Sequence, residues 1–181
     1  MKRTALFALM MTLLLSGCAP ERDKDEFLRW QKELAGGAGA RFSAAVAADC
    51  GGETVLYAGE VVCSGGETSV TLTAPETVAG ISWRSADGGE TLSFENVTLE
   101  LAPGKTAEVS PCRAGPLFFA ALREGQYLYG GRDGETRTAA LALGEFTVTA
   151  VFDAEMSPLR GEVRRDEKTL LTVEIDHWES W

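Results

Sequence analysis

Four cysteines and one histidine are the residues of this chain best equipped for covalent chemistry, and they are scattered along it. Cys18 closes an apolar leader, whereas Cys50, Cys63 and Cys112 fall in the body of the chain. A hydrolytic nucleophile needs a base beside it. The lone His177, between Asp176 and Trp178, reads as a strand or surface residue, and no G-x-S-x-G sequence accompanies it. The cysteine spacings of 13 and 49 residues match no zinc pattern. The three are expected to be small buried hydrophobes with at most one disulfide among them. Glu53, Glu67, Asp87, Glu90, Asp133 and Asp166 stand beside glycines or other charges in expected turns. They read as solvated loop residues, so no acid–base pair for glycoside hydrolysis stands out. No glycine-rich phosphate loop follows a strand, and no acidic calcium loop has the required spacing. The expectation is a protein that is not an enzyme and carries neither cofactor nor metal.

The one cysteine with a chemical context is Cys18. Lys2 and Arg3 give a positive start, and Ala5 to Leu15 form an apolar run. A run of roughly a dozen residues suits a secretory leader and is too short for a spanning helix, which needs about 20. Its exit, Leu15-Ser16-Gly17-Cys18, resembles the lipobox of bacterial lipoproteins. In that family the leader is cut just before the cysteine, whose thiol takes a diacylglyceryl group and whose freed amine can be acylated too. The resemblance implies a signal peptide over residues 1–17, lipidation at Cys18, a tether over 18–24, and one domain over 25–181. It also implies an extracytoplasmic protein whose membrane partner is reached through the acyl chains. Two or three such chains make a stable anchor.

Composition agrees with a single exported domain. About 160 residues follow the anchor, enough for one core of ordinary size. The formal charge is -10, and loss of Lys2 and Arg3 makes the remainder more negative. Such a surface repels phosphate backbones, and no basic stripe with interleaved aromatics appears, so nucleic acid is not an expected partner.

The elements that must build this domain show in the periodicity. Asp23 is placed to cap a short helix, with Glu26 in capping-box position. Phe27, Trp30 and Leu34 share one face of it, and Gly36-Gly37-Ala38-Gly39 ends it. The period then changes to two. Phe42, Ala44, Val46, Ala48 and Cys50 share a face, then Val55, Tyr57, Val61 and Cys63, then Val70 and Leu72, then Ile81 and Trp83, with glycine turns between. In ETLSFENVTLEL a two-residue turn at Glu95-Asn96 sets Phe94 opposite Val97 and Leu92 opposite Leu99. Every apolar residue then shares one face, and one-sided burial decides register in favour of this hairpin. Pro111 to Gly115 reads as a break, and Pro116 to Glu124 as a second short helix with Gly125 just past its end. Gln126 to Arg137 reads as irregular because of Gly130, Gly131 and Gly134. Phe146, Val148, Ala150 and Phe152 alternate again. A hairpin around Asp166-Glu167-Lys168 closes the chain. The expected order is helix, about six strands, helix, then three or four strands.

This order, with the lipobox and the closing FTVTAVFDAEMSPLRGEVRRDEKTLLTVEIDHWE, resembles the LolA/LolB/LppX-type lipoprotein and lipoprotein-carrier superfamily. The resemblance implies an α+β, mainly antiparallel β fold: a curved incomplete β-barrel, or half-barrel, with short helices covering its concave face. It also implies binding of a lipid, acyl chain or lipoprotein segment there. An area count points the same way. Nine strands of six residues, at ~4.8 Å spacing and ~3.3 Å per residue, present a face on the order of 850 Å². A twelve-residue helix covers roughly 180 Å². Two helices leave more than half of the face to be filled by curling, by dimerisation or by an apolar guest. The candidate ligand contacts are the inward aromatics Tyr57, Trp83, Phe94, Phe118, Phe119, Phe146 and Phe152. The alternative is a structural or partner-binding envelope lipoprotein whose core fills itself and which holds an exported protein partner.

Overall fold

The structure, a computed structural model, describes residues 19–49, 53–101 and 110–181. The leader, Cys18 and Cys50 lie outside the described residues. No helix among the described residues is long and apolar enough to cross a membrane.

Helix α1 spans Ala19–Gly36. Phe27 and Leu34 are buried and Trp30 is half-buried, as their spacing requires. The helix begins earlier than expected, so Asp23 lies inside it and does not cap it. Asp23 and Glu26 turn instead to two distant arginines. Asp23 meets Arg132 at 3.9 Å, and Glu26 meets Arg137 at 2.5 Å. Partners more than a hundred residues away are invisible to a local capping rule.

Six strands follow: β1 (Gly39–Asp49), β2 (Thr54–Ser64), β3 (Glu67–Ala74), β4 (Ser82–Ala86), β5 (Gly89–Phe94) and β6 (Val97–Leu101). Helix α2 (Pro111–Glu124) leads into β7 (Gln126–Asp133), β8 (Thr136–Leu143), β9 (Phe146–Phe152), β10 (Pro158–Arg165) and β11 (Lys168–Ser180). Two expectations are corrected here. Helix α2 starts at Pro111, so Pro111 to Gly115 is its opening turn, and Pro116 lies within it. Gln126 to Arg137 is not irregular but forms β7, a tight turn and the start of β8. A fifth strand therefore follows the helix.

The strands make one antiparallel sheet in the order β6-β5-β4-β3-β2-β1-β11-β10-β9-β8-β7. It consists of two meanders, joined where the first strand pairs with the last, Val46 opposite Val173. The sheet does not close on itself, and β6 and β7 are its edges. Alternation along each strand gives it one apolar face. Directly paired residues share a face, so Phe42, Val61, Val70, Trp83, Leu92 and Leu99 form a continuous row across half of the sheet.

Both helices lie on that apolar face. Helix α2 packs over β1, β2, β3, β8, β9 and β11, and α1 packs over β7 and against α2. A side chain on Gly115 would come within 2.5 Å of Val61, and one on Gly161 would strike the Phe118 ring. These two glycines let α2 sit directly on the strands. Phe118, Ala121 and Leu122 are fully buried there. Aromatic contacts fix α1: Trp30 meets the Phe152 ring edge-on at 5.1 Å, and Phe27 lies 5.5 Å from Tyr127. The Gln31 side-chain amide donates to the carbonyls of Leu122 and Gly125, both at 3.0 Å. It thereby satisfies acceptors that the end of α2 would otherwise leave open.

Near its end β11 carries one extra residue relative to β1 between the pairs Ser43–Asp176 and Arg41–Glu179. His177 takes φ 54 at this bulge. The extra residue reverses the alternation, turning Trp178 inward onto Phe42, with ring centroids 5.2 Å apart, and His177 outward.

Candidate functional site

The seven aromatic positions singled out in the sequence divide into two groups. Phe118 and Phe152 are 0% exposed, and Trp83 and Phe119 are also buried. Phe146 packs half-buried against the same core, and Tyr57 is half-buried. Only Phe94 stands open, at 44%. The interior beneath the helices is therefore occupied by the protein's own side chains. Under the first turns of α2, residues including Val46, Tyr57, Val61, Leu72 and Gly115 enclose a space of about 10 Å³. That is about what a single water needs. No hydrocarbon chain fits there.

The uncovered apolar surface lies at the β4–β6 end of the same face. Phe94 is joined by Val97 at 60% and Leu99 at 55% exposure, with Leu92 and Leu101 half-buried beside them. The hairpin expected from one-sided burial is observed, with Phe94 opposite Val97 and Leu92 opposite Leu99. Val97 and Leu99 were not among the expected contacts, although their alternation already placed them on this face. The bias towards aromatics hid them.

Glu90 marks the border between the covered and the open part. One carboxylate oxygen accepts a hydrogen bond from Trp83 Nε1 at 3.3 Å, and the other accepts from Arg113 in the first turn of α2. One acidic side chain thus ties β4, β5 and the helix together, away from its expected place in a solvated turn. Its side chain is only 17% exposed.

The opposite face carries a groove edged by acidic side chains. It measures about 390 Å³ and runs among Ser43, Ala45, Ala58 and Thr73, and Glu60, Glu174 and Asp176 line it. Its carboxylates disfavour an alkyl guest. The His177 side chain is 81% exposed, and its Nε2 lies 3.6 Å from Asp176 Oδ2. Among the described residues no group of acidic, cysteine and histidine side chains is arranged to hold a metal ion. Cys63 and Cys112 are free thiols, both buried. Burial pushes Cys63 up to about 11 and raises Cys112 as well, which suits small hydrophobes rather than nucleophiles.

No protein-family model matches the sequence, and no curated protein does. Solved structures do resemble the fold. A DUF1329 family protein from Desulfovibrio piger aligns over 90% of this chain and 93% of its own, with a TM-score of 0.51 and 8% identity. A conserved protein from Thermus thermophilus aligns over 87% of each chain, with a TM-score of 0.50 and 10% identity. A LolA superfamily protein from Nitrosomonas europaea covers 86% of this chain and 92% of its own, with a TM-score of 0.45 and 11% identity. At such identities the likeness concerns the fold alone.

Proposed function

We propose that this is an extracytoplasmic lipoprotein, anchored through acyl chains on Cys18, that binds rather than transforms its ligand. Its sheet acts as a half-barrel, and its guest is an acyl chain, a lipid or an apolar lipoprotein segment. The guest lies on the open β4–β6 part of the concave face and not in a closed cavity. One observation carries this reading: Phe94, Val97 and Leu99 continue the core face beyond the helices and remain 44 to 60% exposed. Covering each half-exposed side chain contributes about 1 kcal/mol. Phe94 thus keeps its expected ligand role. Trp83, Phe118, Phe119, Phe146 and Phe152 act as the floor and core behind it, and Tyr57 lies along the row through Val46.

A second reading, a partner-binding lipoprotein without a small ligand, draws support from the 10 Å³ space under α2. Native mass spectrometry of membrane-extracted protein, combined with titration of a fluorescent fatty acid, separates the two. The first reading expects saturable fatty-acid binding that Leu99→Asp abolishes. An apo mass together with no titration response leaves only the second. Fractionation of a Cys18→Ala variant tests the anchor, which requires the protein to leave the membrane fraction.

A further inference from the structure

The two sheet edges are finished differently. Strand β7 is interrupted by a register shift between Tyr127 and Tyr129, carries Gly130 and Gly131, and has α1 packed along it. Those are the devices by which edge strands avoid accidental pairing. Among the described residues, strand β6, VTLEL, has none of them. It pairs with β5 without a register shift, contains no proline or lysine, and carries one charge, Glu100.

Among the described residues no strand pairs with the outer side of β6, and the hairpin geometry shows which of its backbone groups face that side. In a two-residue hairpin the pair flanking the turn exchanges both hydrogen bonds, and the pattern alternates from there. Here the turn is Glu95-Asn96, with Glu95 at φ 51. Val97, Leu99 and Leu101 therefore direct their N–H and C=O groups to β5, while Thr98 and Glu100 direct theirs away from it. The close approach of the Ser93 and Thr98 hydroxyl oxygens, 3.0 Å apart, is what a non-hydrogen-bonded pair produces.

We infer that β6 is a strand-addition site for an extended segment of an exported polypeptide, whose backbone pairs with Thr98 and Glu100. This rests on the open β4–β6 part being the binding side, and it narrows the guest to protein. Residues of the added strand opposite Val97 and Leu99 share the apolar face, so they are apolar. The residue opposite Glu100, one place beyond Leu99 and on the other face, is basic. The ligand is thus an alternating apolar and polar strand about five residues long, with a cationic residue opposite Glu100. The chain's net charge of -10 disfavours a second copy in that place.

The test uses the peptide Lys-Val-Lys-Val-Lys-Val-Lys, a version N-methylated at alternate residues, and the full-length protein with Thr98→Pro or Glu100→Pro. Proline at these positions removes an N–H that β5 does not use, so circular dichroism and the melting temperature stay near wild type. Binding measured by fluorescence anisotropy is expected to weaken at least tenfold for either proline variant and for the N-methylated peptide. Should the N-methylated peptide bind as well as its parent, backbone pairing is excluded whatever the variants do. Fatty-acid binding that Leu99→Ser removes and Glu100→Pro leaves intact overturns strand addition while keeping the broader reading. A wild-type dimer that Glu100→Pro converts to monomer identifies a second copy as the occupant and also overturns the proposal.

Discussion

The two meanders obey the same alternation and end in opposite states. In the β7–β11 meander Ala139, Leu141, Val148, Ala150, Phe152, Val163, Leu171 and Val173 are all sealed from solvent. In the outer strands of the other meander only Trp83 is, and Phe94, Val97 and Leu99 look out. Strand pattern alone does not decide burial. The difference is cover: α1 and α2 crowd one meander and the inner strands of the other, and stop at the Glu90–Arg113 pair. A period of two marks where a face could be buried, and the placement of the helices decides whether it is.

That contrast can be broken most severely at Phe118. Phe118→Ala empties a fully buried ring site beneath α2 and should cost about 3–5 kcal/mol in urea unfolding, whereas Leu99→Ala should stay within about 0.5 kcal/mol. Equal costs would mean that the β5–β6 hairpin is as buried as the core. Next in size is the border itself. Arg113→Ala leaves the mostly buried Glu90 carboxylate without its cation and should cost about 1–2 kcal/mol, with faster amide exchange in β5.

A smaller effect distinguishes the α1 edge by pH. A hydrogen bond from Arg137, opposed in part by burial and aided by the smaller effects of the charges of Arg137, Arg132 and Arg22, holds the Glu26 carboxyl below its ordinary 4.5. The contribution is present above 4.5 and is lost as pH falls through the lowered value. Trp30 emission should report loosening of α1 in acid, and Glu26→Gln should flatten that response. The least disruptive probe is Cys63. Raising its pKa from 9.0 to about 11 lowers the thiolate fraction about a hundredfold near pH 8, so iodoacetamide labelling of the native protein should slow at least that much. Rapid labelling would show that the inner strands open far more readily than their burial implies.

Much of this architecture was legible in residue order. One-sided burial placed the Glu95-Asn96 turn correctly, and the spacing of Phe27, Trp30 and Leu34 identified the inner face of α1. Glycine caused the main misreadings, because in sequence it signals a turn whether its role is flexibility or proximity. Gly115 is buried in a helix so that α2 can approach Val61, and Gly130 sits in a strand where a side chain would collide with the Thr138 carbonyl. The candidate site was half legible. Its face was identified, but which part of that face stays open depends on how far two helices reach, and no local pattern encodes that.

The join between β1 and β11 has a consequence for how the chain acquires its shape. Each meander consists of neighbours in sequence and can zip up locally, but Ala48 must find Leu171 and Ala40 must find Ser180 across nearly the whole chain. Contacts of such separation form slowly because the intervening chain must first be confined. As the polypeptide is made N-terminus first, β1 waits with one flank bare until β11 is available. A chain interrupted before β11 therefore presents β1 as an unfinished seam.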